Sequence, residues 1–528
     1  MFNNKFQDKL RSDRIIILLL FVSAVILRLV ALDRIYLIAR DGIEYVSLAR
    51  LYMSGSFLEG LSHPYHPLYP FLMALGGIIT GNIELSGKLI SLGLGSLSVV
   101  PLYLLGKSLY DRKVGIVGGL FFVLQPYCVR FSVDVLSDSA FLFFFVLAFY
   151  LGIEAIKKKG KGYSWSIGAG LSGGLAYLVR PEGILIILLL IVWYVCEWIF
   201  GPKKRFVSTL SVMAALLFTF LVFAGPYLVF MKMHTGNWQL SMKPSIEKVF
   251  KRSPAGLKAV GTTNYSADRV LNTKNQDKAK QALAPAKPKV LPQKPNLWKS
   301  MYYALMKFVE TCHYLLFFFL AIGIWSVNRN KAFIPGKIPG IILLVYLLGL
   351  GYLYHMVSYI SRRHFIPLIT ICLPLAGVGF WKVEKILSDY ADKYNQTWRR
   401  WVTTYSAILI LLITGATLLP KALKHQRLEK LPLKKAALLI HEKSSSHHPV
   451  VMSNEPLVAY YAGGKHVPIL KLNYKKFVFF LLRKKVDYVV FGERDIKRGA
   501  QFLAQLQPDR FRKIFLNNNN VLVYEVIR

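Results

Sequence analysis

The stretch "ARDGIEYVSLAR", residues 39–50, places Asp41 and Glu44 three positions apart, directly after the first long apolar run. A second acidic pair, Asp134 and Asp138, stands four apart in "RFSVDVLSDSAFLFF", a spacing that puts both on one face of a helix. Only 28 of the 528 residues are acidic, so two such pairs at the borders of apolar segments stand out. Like charges this close repel unless a cation, a proton or water separates them, and ionisable residues at a membrane boundary are functional candidates by default. The plainer reading is a solvated loop end, or an N-cap for the helix that follows. Cations accompany the acids: "LVRPEG" carries Arg180 beside Glu182, and "SYISRRHFIPL" carries Arg362, Arg363 and His364. Arginine offers phosphate a planar fork of donors, although snorkelling side chains at the headgroup level would look the same. His66 and Tyr69 open the segment "HPLYPFLMAL". Carboxylates beside arginines suit transfer of a group from a lipid phosphate. The cations hold the departing phosphate and a base takes the proton of an acceptor hydroxyl.

These residues hang on a hydrophobic frame. The chain is 54% hydrophobic, and many of its apolar runs approach the roughly 20 residues that a membrane helix needs. The runs 15–32, 85–106, 114–130, 136–156, 164–179, 183–200, 207–230, 301–326, 338–358, 364–382 and 402–420 give eleven expected spans. The fold class is therefore a polytopic α-helical membrane protein, with residues 1–420 as its membrane domain. Lys and Arg cluster in alternate short loops, which by the positive-inside rule places the N-terminus in the cytoplasm and the C-terminus outside. The run 66–81 is short and broken by Pro67 and Pro70. It reads as an interfacial helix in a large first external loop, 33–84. Residues 232–300 form a basic external loop whose centre, rich in Ala, Lys and Pro, is expected to be mobile. Residues 421–528 read as a small external α/β domain, with strands at "PVVMSN", "HVPIL" and "DYVVFG", intervening helices, and a terminal hairpin turning at Asn517–Asn520. The formal net charge of +39 on a membrane protein points to anionic lipids or phosphorylated substrates rather than nucleic acid. Cys128, Cys196, Cys312 and Cys372 lack metal-type spacing, so neither a zinc site nor a disulfide framework is expected. Glu310 and His313, inside an apolar run, read as a packed polar pair.

The order of "RDGIEYVSLA", "HPLYPFLMAL", "VVPLYLLGKSLYDRKVGIVGGLFFVLQPYCVRFSVDVLSDSAFLFF" and "GLAYLVRPEG" resembles bacterial members of the GT-C superfamily of membrane glycosyltransferases. The likeness is to those related to protein O-mannosyltransferases and the lipid A aminoarabinose transferase, and it covers residues 10–382. It implies inverting transfer of one sugar from a polyprenyl-phosphate donor to a glycolipid, polysaccharide or protein hydroxyl, at the outer face of the cytoplasmic (inner) membrane. It also implies that Asp41 is the catalytic base and that Asp138 is the second acid. Glu44, His66, Tyr69, Asp134, Arg180, Arg362 and Arg363 are the substrate-binding candidates. No metal-ligand set is expected, although the two acids leave room for a divalent cation. The alternative class is a lipid or glycan transporter, whose paired halves and midplane-broken helices are not apparent in the sequence. The topology makes a direct expectation. A cysteine placed at Ser446 reacts with a membrane-impermeant reagent added outside intact cells, and one placed at Lys159 does not; the reverse pattern overturns the assignment.

Overall fold

A computed structural model describes residues 2–158, 162–200, 206–243, 295–329, 337–391, 396–444, 448–470, 474–496, 508–517 and 521–527, with residues 393, 446 and 506 standing alone. Most of the expected mobile loop at 232–300 lies outside the described residues.

Helix α1 (Phe2–Leu32) is followed by three shorter helices, α2 (Arg40–Met53), α3 (Phe57–Leu61) and α4 (Leu68–Thr80). The bundle continues through α5 (Ile83–Leu97), α6 (Val99–Leu109), α7 (Arg112–Leu124), α8 (Pro126–Phe131), α9 (Asp138–Lys157), α10 (Tyr163–Val179), α11 (Ile184–Phe200) and α12 (Phe206–Thr235). It closes with α13 (Leu297–Cys312), α14 (Tyr314–Arg329), α15 (Ile338–Val357), α16 (Ile366–Ala391) and α17 (Gln396–Ala422). Every one of the eleven apolar runs is helical, and the chain is a multi-pass helical membrane protein. Among the described residues, seven helical stretches are long and apolar enough to cross a bilayer, eight if α13 and α14 count as one bent span. The expected eleven is not reached on length. Helix α7 has 13 residues, and α10 and α11 have 17 each; at 1.5 Å per residue these fall short of a hydrocarbon core of about 30 Å.

Two breaks explain part of the difference. The run 114–130 splits at Gln125. Its Oε1 accepts the amides of Tyr127 (2.7 Å) and Cys128 (2.9 Å), and its Nε2 donates to the Thr311 carbonyl (2.8 Å). This side chain both starts α8 and ties it to the end of α13. The run 301–326 bends by 109° between α13 and α14, at His313, whose φ of 79° is left-handed. Elsewhere the helices close up through small residues, as membrane helices do. A Cβ on Gly379 would lie 1.8 Å from the Phe319 carbonyl oxygen, and one on Gly323 would lie 1.9 Å from that of Leu375. Neither position admits a side chain, so α14 and α16 approach backbone to backbone.

The C-terminal domain is α/β. Helices α18 (Leu431–Lys443), α19 (Pro456–Tyr461) and α20 (Tyr474–Arg483) pack on strands β1 (Val450–Ser453), β2 (Lys465–Pro468), β3 (Tyr488–Gly492), β4 (Phe511–Asn517) and β5 (Val521–Val526), in the order β2-β1-β3-β5-β4. β1 runs parallel to β2 and β3, and β5 antiparallel to β3 and β4. Alternate strand residues feed two cores, one with Val451, Val490 and Val523 and the other with Met452, Val489 and Leu522, as a two-residue repeat requires.

This domain grips the first loop. Arg427 donates to the Leu37 carbonyl (2.8 Å), Lys434 donates to that of Tyr36 (2.9 Å), and the Ile38 amide donates to the Tyr461 hydroxyl (3.1 Å). Arg427 also pairs with Asp134 at 2.6 Å. The other oxygen of Asp134 accepts the amides of Ala39 (3.0 Å) and Val135 (2.8 Å). Asp134 is fully buried, so removing its guanidinium leaves a charge in a poorly solvated place. Arg427→Met is expected to cost about 2 kcal/mol, somewhat below the usual figure for breaking a buried pair because Arg427 is itself partly hydrated. It should also speed proteolysis near residue 424. An unchanged melting temperature and cleavage rate would show that the pair carries no load.

Candidate active site

Asp41 lies in the first turn of α2, and Asp138 lies in the first turn of α9. A helix N-terminus favours a carboxylate by its dipole and unpaired amides. Both acids sit at the same end of the bundle, and Arg363 joins them. Its Nη1 donates to Asp41 Oδ2 at 2.6 Å. Its Nη2 donates to Asp138 Oδ2 at 2.6 Å, and its Nε lies 3.0–3.1 Å from both Asp138 oxygens. Arg180, which ends α10, donates to Asp138 Oδ1 at 2.6 Å and lies 3.6 Å from Glu182. Asp138 is nearly sealed from solvent, 5% exposed, whereas the Asp41 side chain is 34% exposed. One acid is therefore buried between two arginines, and the other faces outward from the same guanidinium.

The turn carrying Arg363 is pinned locally. Ser361 Oγ accepts the Arg363 amide (3.2 Å), His364 Nδ1 accepts the Ser361 amide (3.1 Å), and Tyr346 donates to the His364 carbonyl (3.0 Å). Asp134 performs the same service for α2. By accepting the Ala39 amide it fixes where the helix bearing Asp41 begins. Tyr65 donates to Asp41 Oδ1 at 3.4 Å, and Lys243 rests 4.2 Å over the Tyr65 ring. Burial, and then the Asp41 charge, raise the Tyr65 hydroxyl well above its ordinary range, so it stays a donor.

Among the nine sequence candidates, Asp41, Asp138, Arg180 and Arg363 form this one connected centre. Glu44 stands beside it, 3.6 Å from His63. His66 is buried against α10, its Nδ1–H donating to the Tyr177 carbonyl at 2.6 Å. Tyr69 is fully buried and spends its hydroxyl on the Gly87 carbonyl (3.1 Å) and Ser91 (2.8 Å), which makes it a packing residue. Asp134 belongs to the domain junction, and Arg362 turns away from its neighbour to Glu310. The Arg363 guanidinium lies between Asp41 and Asp138, paired with both. Among the described residues, no three His, Cys, Asp or Glu side chains gather to hold a metal ion. Sequence reasoning missed Tyr65 and Lys243. Tyr65 adjoins His66 in "HPYHPLYP" and was open to discovery; Lys243 sits among many other lysines in a basic loop.

Residues 62–230 match the dolichyl-phosphate-mannose-protein mannosyltransferase family. Among solved structures, ArnT from Cupriavidus metallidurans, bound to undecaprenyl phosphate, superimposes with a TM-score of 0.62 at 13% identity, covering 96% of this chain and 97% of ArnT. The Archaeoglobus fulgidus oligosaccharyltransferase follows with a TM-score of 0.55 at 14% identity, covering 92% of this chain and 70% of its own. No curated protein matches by sequence. The chain thus has the GT-C fold, and its resemblance to relatives of the O-mannosyltransferases and the aminoarabinose transferase holds.

The buried imidazole gives a pH signature. Burial lowers His66 to about 4, with the Tyr177 carbonyl offsetting only part of the effect, against about 6.5 in an unfolded chain. Between these values the unfolded chain takes up a proton that the folded one does not. Stability is therefore lost as pH falls from 6.5 toward 4 and is unaffected above. The wild-type advantage over His66→Gln in thermal melts should shrink by about 3 kcal/mol across that window. Parallel pH profiles for the two proteins would contradict the burial argument.

Proposed function

We propose that the protein is an inverting glycosyltransferase that moves one sugar from a polyprenyl-phosphate carrier to a hydroxyl acceptor. The observation carrying this reading is the single guanidinium of Arg363 shared between an outward-facing acid, Asp41, and a buried one, Asp138. The fold adds support, since ArnT of the same fold is seen with undecaprenyl phosphate.

In this mechanism Asp41 Oδ takes the proton of the acceptor hydroxyl. The acceptor oxygen attacks the anomeric carbon from the face opposite the phosphate, and the bond from that carbon to the phosphate oxygen breaks. The electron pair stays on the departing lipid phosphate, which needs no proton because Arg363 and Arg180 neutralise it. Asp138 is the positioning acid; it aims the two arginines, which would otherwise repel. Glu44 and Lys243 border the space where the acceptor would sit. In the resting centre Asp41 Oδ2 is itself engaged by Arg363 at 2.6 Å, so that oxygen is not open to an acceptor hydroxyl. Phosphate of the incoming donor competes for the same N–H groups and releases Asp41, so the base is freed when the sugar arrives. The outer membrane face, by the loop-charge pattern, is where donor and acceptor meet.

Asp41→Asn keeps the shape and removes the proton acceptor. Turnover should fall by about 10²–10⁴. Affinity for undecaprenyl phosphate should not fall, because the variant leaves Arg363 less encumbered. Near-normal turnover in the purified variant would reduce Asp41 to a helix-terminal group and end this reading. Glu44→Gln, measured beside it, is expected to alter acceptor KM more than kcat.

A further inference from the structure

Arg362 and Arg363 are adjacent yet serve different surroundings. Arg362 contacts Glu310 on α13 and lies 5.4 Å over the ring of Tyr127 on α8. On the same ring rests Lys421, at the end of α17, 5.3 Å from its centre. Lys307 pairs with Glu310 at 3.1 Å, and Lys421 lies 3.5 Å from the Glu310 carbonyl. Arg130, one turn after Tyr127, is within electrostatic reach of Arg362 and Lys421. Arg362 and Lys307 thus pair with the Glu310 carboxylate, while Lys421 and Arg130 crowd beside Arg362 with no carboxylate partner of their own among the described ion pairs. Like charges do not gather in this way at no cost. Two of the guanidinium groups also have donors to spare: the Nε atoms of Arg130 and Arg362 are buried and unpartnered among the described residues. The outer parts of the cluster stay open, with the Arg362 side chain 39% exposed.

We infer that Arg130, Arg362 and Lys421, walled by Tyr127, form a second anion site that takes a phosphate group, separate from the Asp41–Arg363 centre. A phosphate monoester carries a charge of about −1.5 to −2 and accepts several N–H bonds at once, so it would balance the excess and fill both free Nε donors. The surroundings favour a phosphate carried by a lipid. Helix α13 bends away from α14 by 109° and exposes Trp298, Tyr302, Leu305 and Met306, the profile of a helix lying along a membrane surface. Its Lys307 and Glu310 then stand at headgroup depth. The centre at Asp41 has its own arginines, so two lipid phosphates can be held at once, on either side of the 362–363 turn. This site does not depend on the glycosyl-transfer reading.

The test uses purified full-length protein titrated with a fluorescent short-chain phosphatidic acid, in competition with inorganic phosphate or undecaprenyl phosphate. Arg362→Gln/Lys421→Gln should weaken phosphatidic acid by about ten- to a hundred-fold, as loss of charge-assisted bonds predicts, with undecaprenyl phosphate affinity kept. Arg130→Gln, which breaks no described ion pair, should also weaken it and covers the case that the double variant misfolds. Arg363→Gln should do the opposite, losing undecaprenyl phosphate and keeping phosphatidic acid. Competition by inorganic phosphate at equal affinity identifies a free phosphate as the ligand; failure to compete identifies a lipid-borne one. Unchanged phosphatidic acid binding in Arg130→Gln overturns the proposal. So does an equal loss in the exposed, charge-matched control Lys435→Gln/Lys465→Gln, which would reveal general attraction. Joint loss of both lipids in Arg362→Gln/Lys421→Gln would merge the two sites into one. Absence of sugar transfer, by contrast, would count only against the glycosyltransferase.

Discussion

Two ionised carboxylates cannot share a poorly solvated corner unless a cation stands between them, and Arg363 is that cation. Its contacts with Asp41 and Asp138 set the terms for much of the structure around it. They need α2 and α9 to start at the same level, which the Asp134 bridge to Ala39 and Val135 secures. They need the 361–365 turn to hold one shape, which Ser361, His364 and Tyr346 secure. They also need α16, which that turn begins, to be seated immovably. The glycines at the α14–α16 crossing do this by bringing backbone against backbone. Burial makes these demands strict, because a small displacement would leave Asp138 under-neutralised where water cannot help.

The division of labour between the acids follows from exposure rather than from residue type. Asp138, enclosed by two arginines, is committed to its partners. Asp41, reached by solvent, is held by one arginine and keeps part of its carboxylate facing outward. The same logic separates Arg363 from Arg362. One serves carboxylates inside the bundle, and the other gathers with lysines at its rim. A turn of two adjacent arginines thus sends charge in two directions, and each direction has its own acidic or aromatic lining.

Much of this was legible beforehand. The apolar runs became helices because hydrocarbon leaves the backbone no other means of satisfying itself. The strands of the C-terminal domain were readable from short β-branched runs between turn residues. Asp41, Asp138, Arg180 and Arg363 were all nominated, because charge at the edge of an apolar run is expensive and therefore informative. What composition could not show was direction. "SRRHF" does not say which arginine faces inward. Asp134 was marked as a substrate contact because its partner Arg427 lies 293 positions away. Gln125 went unread as a break, since it is a lone polar residue in a run otherwise apolar enough to continue, and His313 because it was read as packed with Glu310, which instead pairs with Lys307 and Arg362. Tyr69 shows the same limit: its motif suggested a ligand contact, and the structure adds that its hydroxyl is engaged by Gly87 and Ser91.

The grip of Arg427 on Leu37 joins residues 390 apart, which has a meaning for how the protein is made. The helix that carries Asp41 is synthesised some 390 residues before Arg427, Lys434 and Tyr461, which hold the segment leading into it. At about 5–20 residues per second, the interval is on the order of 20–80 s. Throughout it, the first loop must wait at the membrane surface with its acids unaligned. A nascent chain is therefore unarmed until the last membrane helix has been inserted, and a prematurely ended one stays so.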